Sequence, residues 1–141
     1  MNTTNGENPV FDGIVFRPFV VKPAAALVTT GRPNNAVPPT IKTVEVAAVT
    51  NDANDWITLP NLENVPNGHE ITILCNAGGN FEMRTPATTG DKINSKDCDG
   101  TKEYLCTDTE VLKVVKINNT IGWMAHAYSA IGAVVTAVVP D

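Results

Sequence analysis

A run of acidic residues beside a glycine is the first feature of this chain that could do chemistry. The run is Asp97-Cys98-Asp99-Gly100, and Asp91 precedes it. Carboxylate oxygens at a glycine turn are how some calcium-binding loops begin, but an EF-hand loop starting at Asp97 would need an acidic residue where Thr101 stands. Because Asp-Gly is first of all a turn dipeptide, we interpret the run as a solvated turn and predict no metal and no cofactor.

The two histidines, His69 and His126, are the second candidate, as groups for general acid–base catalysis. Neither belongs to a GxSxG, HExxH or Cys/His zinc pattern. A triad of Ser95 or Ser129 with a histidine and an aspartate stays open, because triads are assembled by the fold and not by sequence spacing. We predict no catalytic residue and no enzyme activity, and we expect His126 to face solvent or a subunit interface, opposite Trp123.

The tryptophans and tyrosines are the third candidate, as a platform on which a sugar could stack. They are Trp56, Tyr104, Trp123 and Tyr128. Aromatic residues make up only 6% of the chain, which is about enough to fill a core. We therefore favour core or interface positions for these side chains.

The three cysteines, Cys75, Cys98 and Cys106, form no CxxC pair, and any disulfide scheme leaves one of them over. Free cysteine is among the most often buried residue types, which favours reduced, mostly buried thiols. A bridge between Cys98 and Cys106 stays open as the alternative.

Length and charge limit the classes of partner. A chain of 141 residues fits one domain that buries roughly two thirds of its unfolded surface. The formal net charge of -5 and the lack of a Lys/Arg cluster argue against a nucleic acid partner, since such binding needs basic groups. No apolar run approaches the ~20 residues that span a bilayer, and the first residues do not resemble a secretory signal. We expect no membrane partner and a protein kept in a cytoplasm or in a particle assembled there.

Short strands are the elements that must position these residues. Between Val65 and Trp123, alternating apolar runs are interrupted every eight to twelve residues by turn residues, which is typical of a β-meander. The alternation predicts one hairpin from strands at 69–75 and 81–84, and a second from strands at 111–117 and 121–127. We also predict strands at 41–50, 56–59, 92–94 and 103–106.

A helix over 101–116, capped by Thr101, is the main alternative to the strands in that range. The run Thr107-Asp108-Thr109 in its middle is unfavourable in a helix, so we predict strands. Together these patterns predict an all-β fold, either a compact antiparallel β-sandwich or a jelly-roll or tulip-like domain.

The two ends of the chain carry apolar residues on both faces of their predicted strands. The segment Phe11–Val21 contains Pro18, which cannot donate to a ladder, and therefore fits an edge strand or an arm lying on a neighbour. Several prolines between Lys22 and Thr40 exclude a long helix. We predict an extended N-terminal arm and linker at 1–40 and a β-domain at 41–141. The final strand, Ala133–Val139, leaves no polar face, so it is either central or covered by another subunit.

One stretch of the chain resembles a known group of proteins. From Val65 to about Ala127 the order is Pro-x-Gly-x-x-Ile-Thr-Ile, a Gly/Asn turn, a strand beginning with Phe, Thr-Pro, Gly-Asp-x-Ile-Asn, a Val-rich strand, Asn-Asn-Thr and Trp. This order resembles small β-domains of bacteriophage virion proteins, found in head decoration proteins, head fibres and tail fibres, usually as trimers. The chain lacks the long repetitive shaft of a tail fibre.

The resemblance implies a decoration, or cement, protein on the exterior of a capsid assembled in the host cytoplasm. Such a protein is expected to be a homotrimer that binds the major capsid protein and bridges neighbouring capsomers. The two-sided apolar character then assigns capsid anchoring to the arm and subunit contacts to the last strand. The residues expected at the capsid are Phe11, Ile14, Phe16 and Phe19, and those expected between subunits are Val134, Val135, Val138 and Val139. The alternative is a carbohydrate-binding module or the receptor-binding tip of a phage fibre.

Overall fold

The computed structural model describes residues 19–21, 36–46, 55–76, 78–98 and 103–135. Within these residues the chain forms short strands and one turn of 3-10 helix at Leu62–Asn64. In chain order the strands are β1 (Phe19–Val21), β2 (Thr43–Val46), β3 (Trp56–Thr58), β4 (Glu70–Cys75), β5 (Phe81–Arg84), β6 (Lys92–Ile93), β7 (Lys96–Asp97), β8 (Tyr104–Cys106), β9 (Val111–Asn118) and β10 (Gly122–Tyr128).

The strands form two mixed sheets, and the prediction of an all-β fold is confirmed. The larger sheet has the order β1-β2-β4-β9-β10-β6-β7, and the smaller has the order β3-β5-β8. Pairing is antiparallel between β4, β9 and β10, whereas β2 pairs with β4 and β3 pairs with β5 in parallel. These parallel pairs follow from the chain path, because β2, β3, β4 and β5 lie alternately in the larger and the smaller sheet.

One hydrophobic core lies between the two sheets. The strand alternation predicts its composition, since every second residue of β4 and β9 is buried. The largest fully buried side chain is that of Trp123, as predicted. The larger sheet also contributes Val44, Val46, Ile71, Ile73, Leu112 and Val114, and the smaller sheet contributes Ile57, Phe81, Met83, Tyr104 and Cys106.

The predicted hairpin between 69–75 and 81–84 is wrong. Both segments are strands, but β4 pairs with β2 and β9, and β5 pairs with β3 and β8. The connection between them crosses from one sheet to the other. It is held to the turn before β9, because Gly78 N–H donates to Asp108 Oδ1 at 3.1 Å and Asp108 N–H donates to Asn80 Oδ1 at 3.1 Å. Glycines and asparagines predicted a change of direction here, but not which strand would follow as the partner.

The second predicted hairpin is confirmed. Strands β9 and β10 pair along their length, and the Asn118 side chain accepts hydrogen bonds from Thr120 N–H at 2.9 Å and Ile121 N–H at 2.7 Å in the turn. The range 101–116 contains β8 and β9 in its described part, which confirms strands there over the alternative of a helix. In the described ranges, no helix is long and apolar enough to cross a bilayer.

Segments at both ends of the described chain extend the sheets. Strand β1 pairs in parallel with β2, and Val37, which is buried in the core, donates its N–H to Thr58 O at 2.9 Å. At the other end, Val134 forms a bridge with Tyr128, and Val135 donates its N–H to Ala127 O at 2.9 Å. Residues 136–141, which include most of the predicted final strand, lie outside the described residues.

Candidate functional site

A groove of about 480 Å³ lies beside the outer face of the smaller sheet. Alternation in β3 and β5 turns Ile57 and Met83 into the core and leaves Trp56, Thr58 and Arg84 on the opposite side, where they line the groove. The chain segments 36–39, 59–64 and 85–87 supply the remaining walls. A volume of this size is in the range of small-molecule sites.

The centre of the groove is a stack of Arg84 on Trp56. The two residues lie on neighbouring parallel strands, whose register places Trp56 beside Glu82 and Thr58 beside Arg84. The guanidinium carbon of Arg84 is 4.3 Å from the centroid of the indole ring. Such a cation–π contact stabilises by about 0.5–1 kcal/mol at a partly exposed site, and it holds the indole in one orientation.

Two carboxylates fix the Arg84 guanidinium. Its Nε lies 3.1 Å from Glu82 Oε2, and its Nη2 contacts Glu82 Oε2 at 2.5 Å and Glu103 Oε1 at 3.2 Å. The three side chains are mostly buried at this position, which strengthens the pairing relative to an exposed ion pair. Arg84 therefore does not present the groove with an unpaired cation.

Polar side chains line the groove around the stack. The Asn61 side chain caps the 3-10 helix, since its Oδ1 accepts from Glu63 N–H at 2.8 Å, which leaves its amide nitrogen available. Asn64 is exposed and Thr58 is partly exposed, and the amide of the first and the hydroxyl of the second lie in the lining of the groove. Prolines at 39, 60 and 86 supply apolar surface between these groups.

The acidic run that suggested a cation loop does not converge on one point. Asp91 Oδ2 accepts from Leu62 N–H at 3.1 Å, at the start of the 3-10 helix, while Asp97 is exposed in β7 and Cys98 is buried. Asp99 and Gly100 lie outside the described residues. Within the described ranges, no three His, Cys, Asp or Glu side chains are grouped as metal ligands would be.

The two histidines lie in opposite environments. His126 is exposed on β10, as expected, whereas His69 is buried with its ring edge against Trp123, the ring centroids being 6.4 Å apart. Burial lowers the pKa of His69 and outweighs a hydrogen bond with the Ile41 backbone, and the positive charge of Lys42 acts in the same direction as burial. No hydrogen-bond partner of His69 Nε2 is found in the described part of the chain.

The proposed four-residue aromatic platform does not exist. Trp123 and Tyr104 are fully buried, which confirms the preference for core positions, and burial raises the pKa of Tyr104 to about 12. Trp56 is partly exposed and lines the groove, and Tyr128 is partly exposed at the end of β10. Trp56 is therefore the member of the set that a ligand in the groove would meet.

All three cysteines are buried and free. Burial, followed by a hydrogen bond to Cys75, raises the pKa of the Cys106 thiol. Reduced, buried thiols are thus observed in place of a bridge between Cys98 and Cys106.

The residues predicted to contact a capsid or another subunit lie mostly beyond what is described. Phe11, Ile14 and Phe16 are outside the described residues, and Phe19 begins β1. Val138 and Val139 are also outside, whereas Val134 is 69% exposed and Val135 packs against the core. The assignment of these eight residues stays a prediction.

Sequence reasoning did not find the partners of Trp56. Nothing in the sequence distinguishes these partners. Arg84 stands at a polar position of a strand, and Asn61 and Asn64 stand in a turn. The alternation of Phe81–Arg84 could have placed Arg84 on an outer face, but the parallel pairing that sets it beside Trp56 has no local signal. Comparison of the chain with protein-family models, with curated proteins and with solved structures finds no match.

Proposed function

We propose that this protein is a structural component of a bacteriophage virion, which decorates the capsid exterior and bridges neighbouring capsomers as a trimer. The proposal rests on the resemblance of residues 65–127 to phage β-domains and on an observation in the described chain. That observation is the exposure of apolar side chains near its C-terminal end, where Ile131 is 90% and Val134 is 69% exposed.

Contiguous exposed apolar patches mark interaction sites, and two strongly exposed apolar side chains three residues apart, Ile131 and Val134, favour such a surface at this end of the described chain. Burying them contributes about 25 cal/mol per Å² of apolar area before the costs of association. The segment at 133–135 continues along one edge of β10, because Val134 bridges Tyr128 and Ser129 N–H donates to Ala133 O at 2.9 Å. A neighbouring subunit that packs on this edge would cover Ile131 and Val134 together.

In the proposed mechanism the β-domain forms the trimer and the N-terminal arm contacts the major capsid protein. Each subunit then buries apolar surface on more than one capsomer, so that separating capsomers exposes this surface again. The bridge opposes the outward pressure of packaged DNA in this way. The arm anchors are Phe11, Ile14, Phe16 and Phe19, and the subunit contacts are Val134, Val135, Val138 and Val139.

Light scattering on the full chain tests the trimer. We expect a trimer at micromolar concentration, and we expect the double variant Ile131→Asp, Val134→Asp to be a monomer with an unchanged thermal melting curve. Ile121→Asp is the matched control, because Ile121 is 46% exposed at the opposite end of β10. A wild-type chain that stays monomeric would remove the proposal of subunit contacts at 131–139.

Sedimentation with capsids of the parent phage, stripped of this protein, tests the anchor. We expect the full chain to co-sediment and Phe16→Asp to reduce the bound fraction at least tenfold. Leu105→Asp serves as the control, since Leu105 is an exposed apolar residue of the β-domain. Equal binding by the wild type and Phe16→Asp would exclude the arm as the anchor, and no binding by the wild type would exclude capsid decoration.

A further inference from the structure

We propose that the groove beside Trp56 and Arg84 is a binding site for a neutral oligosaccharide. The proposal rests on the groove and not on the capsid role, so either can fail without the other. It replaces the general idea of an aromatic platform by a defined site with a defined ligand class. The groups that carry it are the indole of Trp56, the side chains of Thr58, Asn61 and Asn64, and the ion-paired Arg84.

The surface of the groove is amphipathic in the way that a sugar is. A pyranose ring has C–H groups that pack on flat apolar surface, and hydroxyls around its rim that both donate and accept hydrogen bonds. The neighbouring prolines at 39, 60 and 86, and the part of the Trp56 indole that Arg84 leaves exposed to the groove, supply apolar surface. Asn64 supplies a donor and an acceptor, Thr58 a hydroxyl, and Asn61 an amide donor. A few polar groups converging on an apolar pocket are typical of small-ligand sites.

The charge of the groove favours a neutral ligand. Arg84 lines the groove and is paired with Glu82 and Glu103 at ion-pair distance, so its positive charge is already neutralised. The net charge of the chain is also negative. A carboxylated or sulfated sugar would therefore find no unpaired cation among the described residues that line the groove.

Arg84 also prepares the site before a ligand arrives. Its guanidinium is held by two carboxylates and lies 4.3 Å from the indole centroid, so Trp56 loses little further freedom when a ligand binds. A group that is already fixed costs less conformational entropy on association than a mobile one. Arg84 is accordingly a positioning residue, and Trp56 is the contact residue.

A proline-rich peptide is the other ligand that packs on an aromatic groove. Such a peptide has an extended backbone that offers carbonyl acceptors and few donors. Thr58 and Asn64 can accept as well as donate hydrogen bonds, and the hydroxyls of a sugar use both capacities, whereas a polyproline backbone has no N–H to donate. A second protein is disfavoured as the occupant. A stable protein interface buries about 1,200–2,000 Å² of surface, which is more than the few residues lining this groove present.

The first experiment is a screen of the full chain on a glycan array that includes neutral and acidic oligosaccharides, with a decaproline peptide spotted beside them. We expect signals for neutral hexose oligomers and none for sialylated or sulfated ones. Preferential binding of acidic glycans would overturn the proposal, and so would binding of decaproline alone or of nothing on the array.

The second experiment locates the site by titrating the strongest neutral oligosaccharide into ¹⁵N-labelled protein. We expect shifts confined to resonances around the groove and an affinity for Asn64→Ala reduced by about tenfold, the effect of losing one hydrogen bond worth about 1.4 kcal/mol. Asn119→Ala is the matched control, because Asn119 is also an exposed asparagine in a turn, between β9 and β10. Equal losses in the two variants, or shifts away from the groove, would contradict the assignment.

A third variant separates contact from positioning. Arg84→Met removes the cation that stacks on the indole but keeps the length of the side chain. We expect it to weaken oligosaccharide binding less than Trp56→Ala does, and to leave the selectivity against acidic glycans in place, because the change removes a positive charge from the lining of the groove and adds none. A gain of acidic-glycan binding in Arg84→Met would contradict the charge argument. Thermal melting curves establish that both variants are folded.

Discussion

The side chain of Asn94 completes the hydrogen-bond ladder of β10 at Ala125. Asn94 Nδ2 donates to Ala125 O at 3.1 Å, and Asn94 Oδ1 accepts from Ala125 N–H at 2.9 Å. The backbone N–H of Asn94 donates to Trp123 O at 3.0 Å, directly after β6 has paired with β10 at Ile93. An amide side chain thus takes the place of the next backbone residue, while the φ of 48° at Asn94 turns the chain into β7.

Replacement of Asn94 by alanine should therefore lower the stability of the whole domain. The change leaves the N–H and C=O of Ala125 without their partners and keeps an unfavourable positive φ, so we expect a loss of about 1–3 kcal/mol in the free energy of unfolding. Urea denaturation followed by circular dichroism measures it. Asn94→Gly loses the same two hydrogen bonds but tolerates the φ, and it should be the less damaging variant. A stability of Asn94→Ala within 0.5 kcal/mol of the wild type, a threshold of roughly one weak hydrogen bond, would show that the bonds contribute little.

Most of the strands were predictable from local sequence, although β7 was not predicted, and of the two predicted hairpins that of β9 with β10 is confirmed and the other is wrong. Ile71, Ile73 and Cys75 occupy every second position of Glu70–Cys75, and that pattern predicts both the strand and its buried face, although Leu74 is also apolar. The partners of this strand come from β2 and β9, which are distant in the sequence. A Gly/Asn connection serves a hairpin and a crossing between sheets equally well, so the composition of 76–80 cannot distinguish them.

The candidate site was predictable only in part for the same reason. Trp56 was recognised as an aromatic that could meet a ligand, but Arg84 became its neighbour through a parallel register between β3 and β5. A rule that places every charged side chain of a strand on the exposed face would also misplace Lys116. It stands in an ordinary alternating strand yet is buried on the core side of β9.

The buried position of Lys116 has a specific structural use. Its Nζ donates to Leu62 O at 2.6 Å and to Val65 O at 2.8 Å, and thereby holds the 3-10 helix against the core. Lys116→Met keeps the length of the side chain but leaves both carbonyls without this donor. We expect a loss of about 1–3 kcal/mol in the free energy of unfolding, the cost of one buried unpaired group, because Val65 O loses this donor whereas Leu62 O keeps the N–H of Val65 at 3.4 Å.

Lys113→Met is the matched control for Lys116→Met, two residues away on the same strand. The Nζ of Lys113 pairs with Glu70 Oε1 at 2.8 Å, but both side chains are about half exposed. Exposed ion pairs contribute little, so the melting temperature should hardly change. Equal destabilisation by the two variants would mean that burial of Lys116 is not what makes it important.

Protonation of His69 should make stability depend on pH below neutrality. Burial lowers its pKa in the folded state, so above about 6.5, the ordinary value, both the folded and the unfolded chains hold it neutral. As the pH falls below that value, the unfolded chain takes up a proton that the folded chain does not, and stability decreases until the folded pKa is passed. Thermal melts of the wild type between pH 7 and pH 5 should show this decrease.

Histidine variants isolate that contribution from the titration of carboxylates. His69→Gln should reduce the difference in melting temperature between pH 7 and pH 5, whereas His126→Gln should not, because His126 is exposed. If both variants keep the full wild-type difference, the acid sensitivity arises from other groups.

Gly122 should not tolerate a side chain. Its φ is +86°, and a Cβ built there would lie 2.4 Å from the backbone oxygen of Lys92. Gly122→Ala must therefore displace β6 from β10, and we expect it to cost more than about 2 kcal/mol of unfolding free energy, combining overpacking with an unfavourable φ. Gly90→Ala is the control with a positive φ of +71° and no atom within 4 Å, and it should cost only about 1 kcal/mol. Similar costs at the two positions would rule out the close approach to Lys92 as the cause.

The three thiols should be unreactive in the folded protein and all present after unfolding. Cys75, Cys98 and Cys106 are buried, and burial raises the pKa of Cys106, so the thiolate that attacks a disulfide reagent is scarce and shielded. Titration with Ellman's reagent should give almost no fast reaction in buffer and three thiols in guanidinium. The same count before and after treatment with a reductant excludes a pre-existing bridge. A count of one thiol in the untreated, unfolded chain that rises to three after reduction would instead establish a disulfide between two of the cysteines, contrary to the buried free thiols of the folded core.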